Sequence, residues 1–384
     1  MIKLVLTDMD DTLIPAGHDG ASDYAIESVV PYTSAPANMG QVYFGRWQQG
    51  RCIFPDKTCQ DKPVPYWQVV TIDGIKNDRG DLMIKLVLTD MDDTLIPAGH
   101  DGASDCAIEG IHAMQAAGLH FGPVSGRQPS AMSWMFRNRS ECFSTGAFCN
   151  GQVMFVDGEA VASRATDNDA LMHLADYLEQ ETDDTYLKVY RLGDDFWDND
   201  AYCVTSDPER VRRAMESGGN AWLKGEEAPC RPVVDDAPVY KANIWSARSR
   251  EELAELRERV AAEVPELSLV FPNNRVRLFD VLPTGWDKGC AALELARALG
   301  LPPDEVAVFG DSDNDLPMID AVPNSVAVAN ANEAVTAAAR WHIGAAADDA
   351  VAGALHQIAA CAATGEMPSF MRQMDATGFD VTNV

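Results

Sequence analysis

The sequence predicts an α/β protein with a doubly wound, parallel, Rossmann-like core and an inserted α+β segment. From Met83 onward, short apolar runs alternate with stretches of helical periodicity, as a parallel sheet with helices on both faces requires. Three of the apolar runs are followed at once by polar or charged residues. A second group of strand-like and helix-like segments intervenes between about residues 166 and 281.

The core elements follow from apolar runs and helix signals. Residues 84–88 form a run rich in β-branched side chains, which is typical of a strand buried on both faces. Gly118 ends the helical pattern that follows this strand. The predicted core elements, in chain order, are strands at 84–88, 119–124, 144–151 and 306–310 and helices at 107–117 and 291–299.

The inserted segment has its own helix and strand signals. Leu171, Leu174 and Leu178 share one helical face, and Ser249 with Glu252 forms a capping-box pattern. Pro208, next to a capping Ser206 or Asp207, marks the start of another helix. The predicted elements are helices at 169–181, from 207 and at 249–264, and strands at 240–245 and 275–282.

Two carboxylates stand directly after the first core strand. Asp90 and Asp92 follow residues 84–88, and ligands of open α/β sheets bind beyond the carboxyl ends of the strands. Two neighbouring carboxylates repel each other unless a cation or a proton intervenes, and Mg²⁺ prefers such oxygen ligands. An acid-rich turn without a ligand is the alternative reading of this pair alone.

Three further polar groups stand at corresponding places. Ser125 follows the second apolar run and precedes Gly126-Arg127, and Lys288 stands directly before a helical stretch. The acidic segment 311–315, Asp-Ser-Asp-Asn-Asp, follows the third buried strand. All of these groups are therefore expected to meet at one edge of one parallel sheet.

The four motifs, in this order and spacing, resemble those of the haloacid dehalogenase superfamily of phosphohydrolases. The segment from Ala327 to Ala339 and the long insert between the second and third motifs resemble its Cof-type, subclass IIB branch. The resemblance covers about residues 83–360. It implies a catalytic core at 83–165 and 282–361, a substrate-specificity cap at 166–281 and a tail at 362–384.

The resemblance implies a role for each acid. Asp90 would be the nucleophile that becomes an aspartyl phosphate, which suits a group that is ionised at neutral pH. Asp92 would be the general acid and then the base, and its backbone carbonyl would touch the metal. Asp311 would complete a Mg²⁺ site with Asp90, and Asp315 would bind or orient the metal.

The resemblance also implies phosphate-binding and supporting residues. Ser125, Lys288 and Asn314 would hold the transferring phosphoryl oxygens. Thr94 would fix the loop after the first strand by hydrogen bonding. Arg127 either orders the loop after Ser125 as a supporting residue or is a surface arginine. The expected function is hydrolysis of small phosphorylated metabolites such as sugar phosphates.

Two positions depart from the usual pattern of this family. Asp93 stands where many relatives have glycine, and Gln152 stands where a small residue is common. Asp93 adds negative charge near the expected site, so the charge preference for substrates is open.

Residues of the cap set substrate specificity in this family. The candidate cap contacts are Trp197, Tyr202, Lys241, Asn243 and Arg275.

Two other functions remain compatible with the motifs. A phosphotransferase or phosphomutase would use the same aspartyl phosphate, with an acceptor alcohol in place of water. A non-catalytic phosphate-binding protein would need only the binding groups, and the presence of all four motifs argues against it. The sequence does not specify an oligomeric state.

Bulk properties restrict the partners. The chain has 384 residues and a formal net charge of −29, which argues against nucleic-acid and anionic-membrane partners. The nine cysteines are scattered without a metal-binding spacing, so reduced thiols in the cytoplasm are expected. The sequence has no apolar run of membrane-spanning length, and its start lacks the pattern of a signal peptide.

The first motif occurs twice. Residues 1–23 are identical to residues 83–105, including the decapeptide Leu-Val-Leu-Thr-Asp-Met-Asp-Asp-Thr-Leu. The second copy alone lies close enough to Ser125 for one crossover helix, so residues 1–27 are expected to be a non-functional duplicate. Residues 28–82 contain six Lys or Arg and five Asp, and strands could form at 41–44 and 66–72. A small β module, a disordered linker and translated non-domain sequence are all compatible with this segment, and a linker or poorly ordered segment is expected.

Overall fold

The computed structural model describes residues 84–216, 228–273 and 275–372, and the backbone of four short strands between residues 3 and 53. The chain divides into two compact units, Met1–Gly80 and Asp81–Val384. The four short strands are β1 (Lys3–Leu6), β2 (Leu13–Ala16), β3 (Arg46–Gln48) and β4 (Arg51–Ile53).

Two antiparallel pairs of strands are described in the first unit. β1 pairs with β2, and β3 pairs with β4. The first copy of the decapeptide therefore begins in a strand that pairs with the residues just after it. The expectations for 41–44, for 66–72 and for disorder in the rest of 28–82 fall outside the described residues.

The second unit begins with the first half of the core. Its strands and helices are β5 (Leu86–Thr89), α1 (Asp105–Ala116), β6 (His120–Pro123), α2 (Pro129–Met135), β7 (Gly146–Phe148), β8 (Val153–Val156) and β9 (Glu159–Ser163). The inserted segment follows with α3 (Asn168–Glu181), β10 (Thr185–Arg191), β11 (Asp200–Val204), α4 (Pro208–Glu216), β12 (Cys230–Arg231), β13 (Lys241–Ser246), α5 (Arg250–Glu263), β14 (Leu267–Val270) and β15 (Leu278–Pro283).

The chain then returns to the core. The remaining elements are α6 (Lys288–Ala298), β16 (Val306–Gly310), α7 (Leu316–Ala321), β17 (Asn324–Ala327), α8 (Glu333–Ala338), β18 (Trp341–His342) and α9 (Ala350–Ala362). Asp287 caps α6 by accepting a hydrogen bond from the backbone N–H of Cys290 at 2.9 Å. This cap fixes Lys288 as the first residue of the helix.

The core sheet is parallel and doubly wound. Its strand order is β18-β17-β16-β5-β6, and every neighbouring pair is parallel. Val87 packs with α1 and α9 in one apolar cluster, whereas Leu86 and Leu88 pack with α6, α7 and α8 in another. The strand order reverses direction between β5 and β16, and a crevice at such a switch point is where α/β sheets bind ligands.

The inserted segment forms a six-stranded sheet of order β12-β11-β10-β13-β15-β14. Helices α3 and α5 pack on one face through an apolar cluster that includes Leu171, Leu174, Leu256 and Val260. Alternate strand residues, such as Lys188 and Asp280, point to the other face because side chains alternate along a strand. This second face lies over the ends of the core strands, since both line one cavity.

Most predicted elements are confirmed, with small changes of boundary. The helix at 249–264 is α5, and its Ser249–Glu252 capping box is formed. The strand predicted at 144–151 is shorter, and it pairs in a separate three-stranded sheet with β8 and β9. A β-bridge between Val124 and Ala147 connects it to the end of β6. The predicted strand at 275–282 is β15, which belongs to the six-stranded sheet.

We expect Leu88→Ala to lower the free energy of unfolding of the Asp81–Val384 unit by about 2–5 kcal/mol. Leu88 lies on β5, and its side chain is fully buried against α6, α7 and α8. Urea unfolding followed by circular dichroism measures the change. Leu6→Ala, in the identical repeat, is the matched control and is expected to change this transition by less than about 0.5 kcal/mol. Equal losses would mean that both copies contribute to the core.

Candidate active site

Lys288 joins two of the motif acids at the edge of the core sheet. Its ammonium Nζ donates to Asp90 Oδ1 at 2.5 Å and to Asp315 Oδ1 at 2.6 Å. The Lys288 side chain is fully buried, so the helix-end lysine is not a surface residue. Gly289 lets α6 come close to α7, because a Cβ there would lie 2.4 Å from the Pro317 carbonyl oxygen. The start of α6 is thus held against the motif acids.

Asp311 and Asp315 are fixed by the turn between β16 and α7. Asp315 Oδ2 accepts hydrogen bonds from the backbone N–H groups of Asp311 at 3.0 Å and Ser312 at 3.1 Å. Asp311 Oδ1 accepts from the hydroxyls of Thr94 at 3.0 Å and Ser312 at 3.1 Å. Thr94 therefore connects the first motif to the fourth, a longer-range contact than the local one that was expected.

Three of these acids form a site that fits a hard divalent cation. Asp90, Asp311 and Asp315 are buried, and each offers a carboxylate oxygen within 4.8 Å of the others. Such oxygen ligands suit Mg²⁺ and similar ions. The Asp92 carboxylate is not part of this group. Its backbone carbonyl, the atom expected at the metal, stays a prediction.

The ionisation of the site reflects its excess of negative charge. Burial raises the pKa of Asp90 well above its usual range, and it outweighs the lowering effect of Lys288. Burial and the charge of Asp315 raise the pKa of Asp311 to about 7. Burial alone would lower the pKa of Lys288, but Asp315 and Asp90 outweigh it and raise that pKa. A divalent cation would relieve the remaining repulsion between the acids.

Asp92 is held by Arg127 and not by the acid cluster. Arg127 Nε donates to Asp92 Oδ2 at 2.6 Å, and Nη2 donates to Oδ1 at 2.7 Å, which is the bidentate geometry typical of arginine. The guanidinium also lies over the Trp134 ring, 5.4 Å from its centroid. Burial alone would lower the pKa of Arg127, but the hydrogen bonds that Arg127 donates to Asp92 and the negative charge of Asp92 outweigh it and raise that pKa. Apart from the Ser-Gly-Arg motif, no local pattern predicts this pair.

Ser125 and Asn314 face the same cavity as Asp90 and Asp92. This cavity has a volume of about 530 Å³ and is lined by both the core and the six-stranded sheet. Ser125 Oγ accepts from the backbone N–H of Arg127 at 3.1 Å, and the Ser125 side chain is almost fully buried. Asn314 Oδ1 is buried and has no hydrogen-bond partner among the described residues. An unpartnered polar atom at a cavity wall suits a bound ligand.

Asp280, on β15, is a site residue that sequence reasoning missed. It is buried and accepts hydrogen bonds from Lys241 and Asn243 on the neighbouring strand. It also accepts from Asn150 Nδ2 of the core at 2.6 Å, so it connects the six-stranded sheet to the core. The signal was available, because Asp280 is the one acid within the apolar run Leu278–Pro283.

The five candidate contacts in the inserted segment have different surroundings. Lys241 and Asn243 line the cavity. Trp197 packs against Phe143 and Phe155, and Tyr202 is fully buried with its hydroxyl bonded to Arg191. Arg275 forms an ion pair with Asp93 at 3.2 Å, so the unusual acid of the first motif has a cationic partner.

The comparison with known families covers most of the second unit. Residues 87–355 match the model of the haloacid dehalogenase-like hydrolases. The chain belongs to this family. The resemblance inferred from the four motifs is therefore confirmed. Within the described residues, no helix of this hydrolase has the length and apolar character needed to cross a bilayer.

Individual relatives of this hydrolase agree with the assignment. A phosphoglycolate phosphatase of Methanoculleus marisnigri is 47% identical over 57 residues, which are 15% of this chain and 24% of that protein. The matched segment thus spans about a quarter of that relative.

Two solved structures share the fold. BT1666, from a study of phosphatases of the haloalkanoate superfamily in Bacteroides thetaiotaomicron, has a TM-score of 0.59 and 20% identity, over 73% of this chain and 97% of that one. The subclass IIB sugar phosphatase BT4131 has a TM-score of 0.56 and 21% identity, over 71% and 97%. The predicted fold, an α/β core with an inserted α+β domain, is confirmed.

We expect the affinity of the acid cluster for a divalent cation to rise with pH through the range around 7 in which Asp311 loses its proton. Asp311, with its pKa raised to about 7, holds a proton at lower pH, and that proton must leave before the carboxylate can bind a cation. Each pH unit below this value should weaken binding by up to about tenfold. Calorimetric titration of the metal-free protein with MgCl₂ measures the affinity, and Asp311→Asn should weaken it at every pH. An affinity independent of pH would contradict this account.

Proposed function

We propose that this hydrolase is a Mg²⁺-dependent phosphatase that acts on small phosphorylated metabolites of the sugar-phosphate kind through an aspartyl phosphate on Asp90. The observation that carries the proposal is the buried contact of Lys288 with both Asp90 and Asp315, beside Asp311. Phosphoryl transfer depends mainly on positioning and on neutralising the charge of the phosphoryl oxygens. A fixed lysine can neutralise part of that charge, and the acid cluster beside it can position the phosphoryl group through a bound cation.

In the first step, an Asp90 carboxylate oxygen forms a bond to phosphorus while the bond from phosphorus to the leaving oxygen breaks. Asp92 gives its proton to that oxygen, so the leaving group departs as an alcohol. Ser125, Asn314 and Lys288 hold the other phosphoryl oxygens. Asp90, Asp311 and Asp315, with the backbone carbonyl of Asp92, would hold Mg²⁺, which supplies positive charge to the same oxygens.

In the second step, Asp92 takes a proton from a water molecule, whose oxygen attacks phosphorus. The bond between phosphorus and Asp90 then breaks, which restores both carboxyl groups and releases phosphate. The bidentate contact with Arg127 fixes the direction of the Asp92 carboxylate. To carry a proton, one Asp92 oxygen must give up its hydrogen bond from Arg127. Arg127 then acts on the reaction only through the orientation of Asp92, as a positioning residue.

The size of the cavity and the names of relatives support small substrates. A volume of about 530 Å³ suits a metabolite, and walls from both the core and the cap enclose it. Relatives of this chain are named as phosphoglycolate and sugar phosphatases. The net charge of −29 argues against a nucleic-acid or anionic-membrane partner. The scattered cysteines, without a metal-binding spacing, support a cytoplasmic location.

We expect Asp90→Asn to lower turnover of p-nitrophenyl phosphate by at least about 1000-fold, because an amide cannot form the aspartyl phosphate. Asp8→Asn changes the same residue of the identical decapeptide and is the matched control, with turnover expected to stay unchanged. Both proteins are assayed with Mg²⁺ and with EDTA. Comparable losses in the two variants would contradict the assignment of the site to the second copy.

We expect a chain that begins at Met83 to keep full activity, because residues 81–384 form a compact unit that contains every residue of the proposed site. Steady-state kinetics of the shortened and full-length proteins measure this. An inactive or insoluble product would show that residues 1–82 have a structural role.

A further inference from the structure

A second group of metal-ligating side chains lies outside the catalytic cavity. His112 is on α1, and Glu141 and Cys142 are in the short 3₁₀ turn Ser140–Cys142. Each of the three offers one ligand atom, and these atoms lie within 4.8 Å of one another. The cavity beside Asp90 is lined by other residues, so this group is separate from the acid cluster. No sequence motif marks it, because His112 and Cys142 are 30 residues apart.

The separations between the ligand atoms are close to those of a tetrahedral zinc site. Bonds of about 2.0–2.3 Å at tetrahedral angles place a sulfur about 3.6 Å, and a carboxylate oxygen about 3.3 Å, from a nitrogen ligand. Here Cys142 Sγ lies 3.9 Å and Glu141 Oε1 lies 3.1 Å from His112 Nε2. Small rotations of the side chains therefore bring all three atoms to bonding distance of one ion.

The fold holds these side chains together before any ion binds. Gln115, one helical turn after His112, donates from Nε2 to the backbone carbonyl of Glu141 at 2.6 Å. This bond fixes the turn against α1 and lowers the conformational cost of bringing the ligands together. Cys142 is buried, whereas the side chains of His112 and Glu141 are about half exposed. An ion can approach from solvent on the side of the imidazole and the carboxylate.

We propose that His112, Glu141 and Cys142 bind Zn²⁺ in a site that ties the turn to α1 and takes no part in catalysis. A thiolate, an imidazole and a carboxylate together suit this ion, whereas Mg²⁺ prefers oxygen ligands. Burial and the charge of Glu141 raise the pKa of the Cys142 thiol to about 12, so the free site holds a neutral thiol. Binding therefore releases the thiol proton to solvent as the bond between zinc and sulfur forms. With three protein ligands, a water molecule takes the fourth position.

Cobalt binding tests the site, because a bond between Co²⁺ and a thiolate absorbs in the near ultraviolet and the acid cluster contains no sulfur. The reduced, full-length protein is titrated with CoCl₂ in excess MgCl₂, which competes for the oxygen ligands of the acid cluster. We expect a saturable band that disappears when ZnCl₂ displaces the cobalt. His112→Ala and Cys142→Ser should each weaken binding by more than about 100-fold, since loss of even an outer partner of a ligand typically costs 10- to 100-fold.

His173→Ala is the matched control. His173 Nε2 pairs with Glu263 Oε1 at 3.2 Å and is similarly exposed, and this pair belongs to no group of three metal ligands among the residues that the structure describes. The control should keep the band and its affinity. His112→Ala changes a half-exposed side chain, so it tests the site even if Cys142→Ser fails to fold. Its turnover of p-nitrophenyl phosphate with Mg²⁺ should equal that of the unmodified protein. A missing band in the unmodified protein, or an unchanged affinity in His112→Ala, would overturn the inference.

Discussion

The rest of the site depends on the buried ion pairs of Lys288. Asp90, Asp311 and Asp315 come from the ends of two adjacent strands, and without a cation their burial would oppose folding. Lys288 offsets part of this cost, and its raised pKa shows that the acids hold it charged. The hydrogen bond from the Cys290 N–H to Asp287 caps the start of α6, the helix that begins with Lys288, and the close approach of Gly289 to Pro317 fixes the position of that start. The site therefore keeps a net negative charge. This charge would attract a divalent cation, whereas it would repel a phosphoryl group unless that cation is bound.

The core of this arrangement could be predicted from the sequence because it is made of local patterns. Asp90, Ser125 and Asp311 each follow a buried strand, and strand ends of one parallel sheet converge. The bidentate pair of Asp92 with Arg127 could not be predicted, since it depends on rotamers of two loops 35 residues apart. Asp280 was missed for a similar reason: its partner Asn150 belongs to the core, and the contact exists only because two sheets face each other.

The two copies of the decapeptide show that local sequence alone does not determine which sheet a strand joins. Leu4 and Leu86 begin the same ten residues, yet β1 pairs antiparallel with the residues that follow it and β5 lies between two parallel strands. Strand propensity is the same in both copies, so the neighbours decide which sheet forms. A catalytic motif is consequently a property of its companions Ser125, Lys288 and Asp311 as much as of its own residues.

The close approach of Asp280 to Gly126 restricts how the sequence can vary at these two positions. A side chain at position 126 would displace the carboxylate that also holds Asn150, Lys241 and Asn243. A side chain at position 126 is therefore tolerated only where the residue at position 280 changes as well. Homologous chains should show the two sites varying as a pair, with larger residues at 126 only where the acid at 280 has been lost.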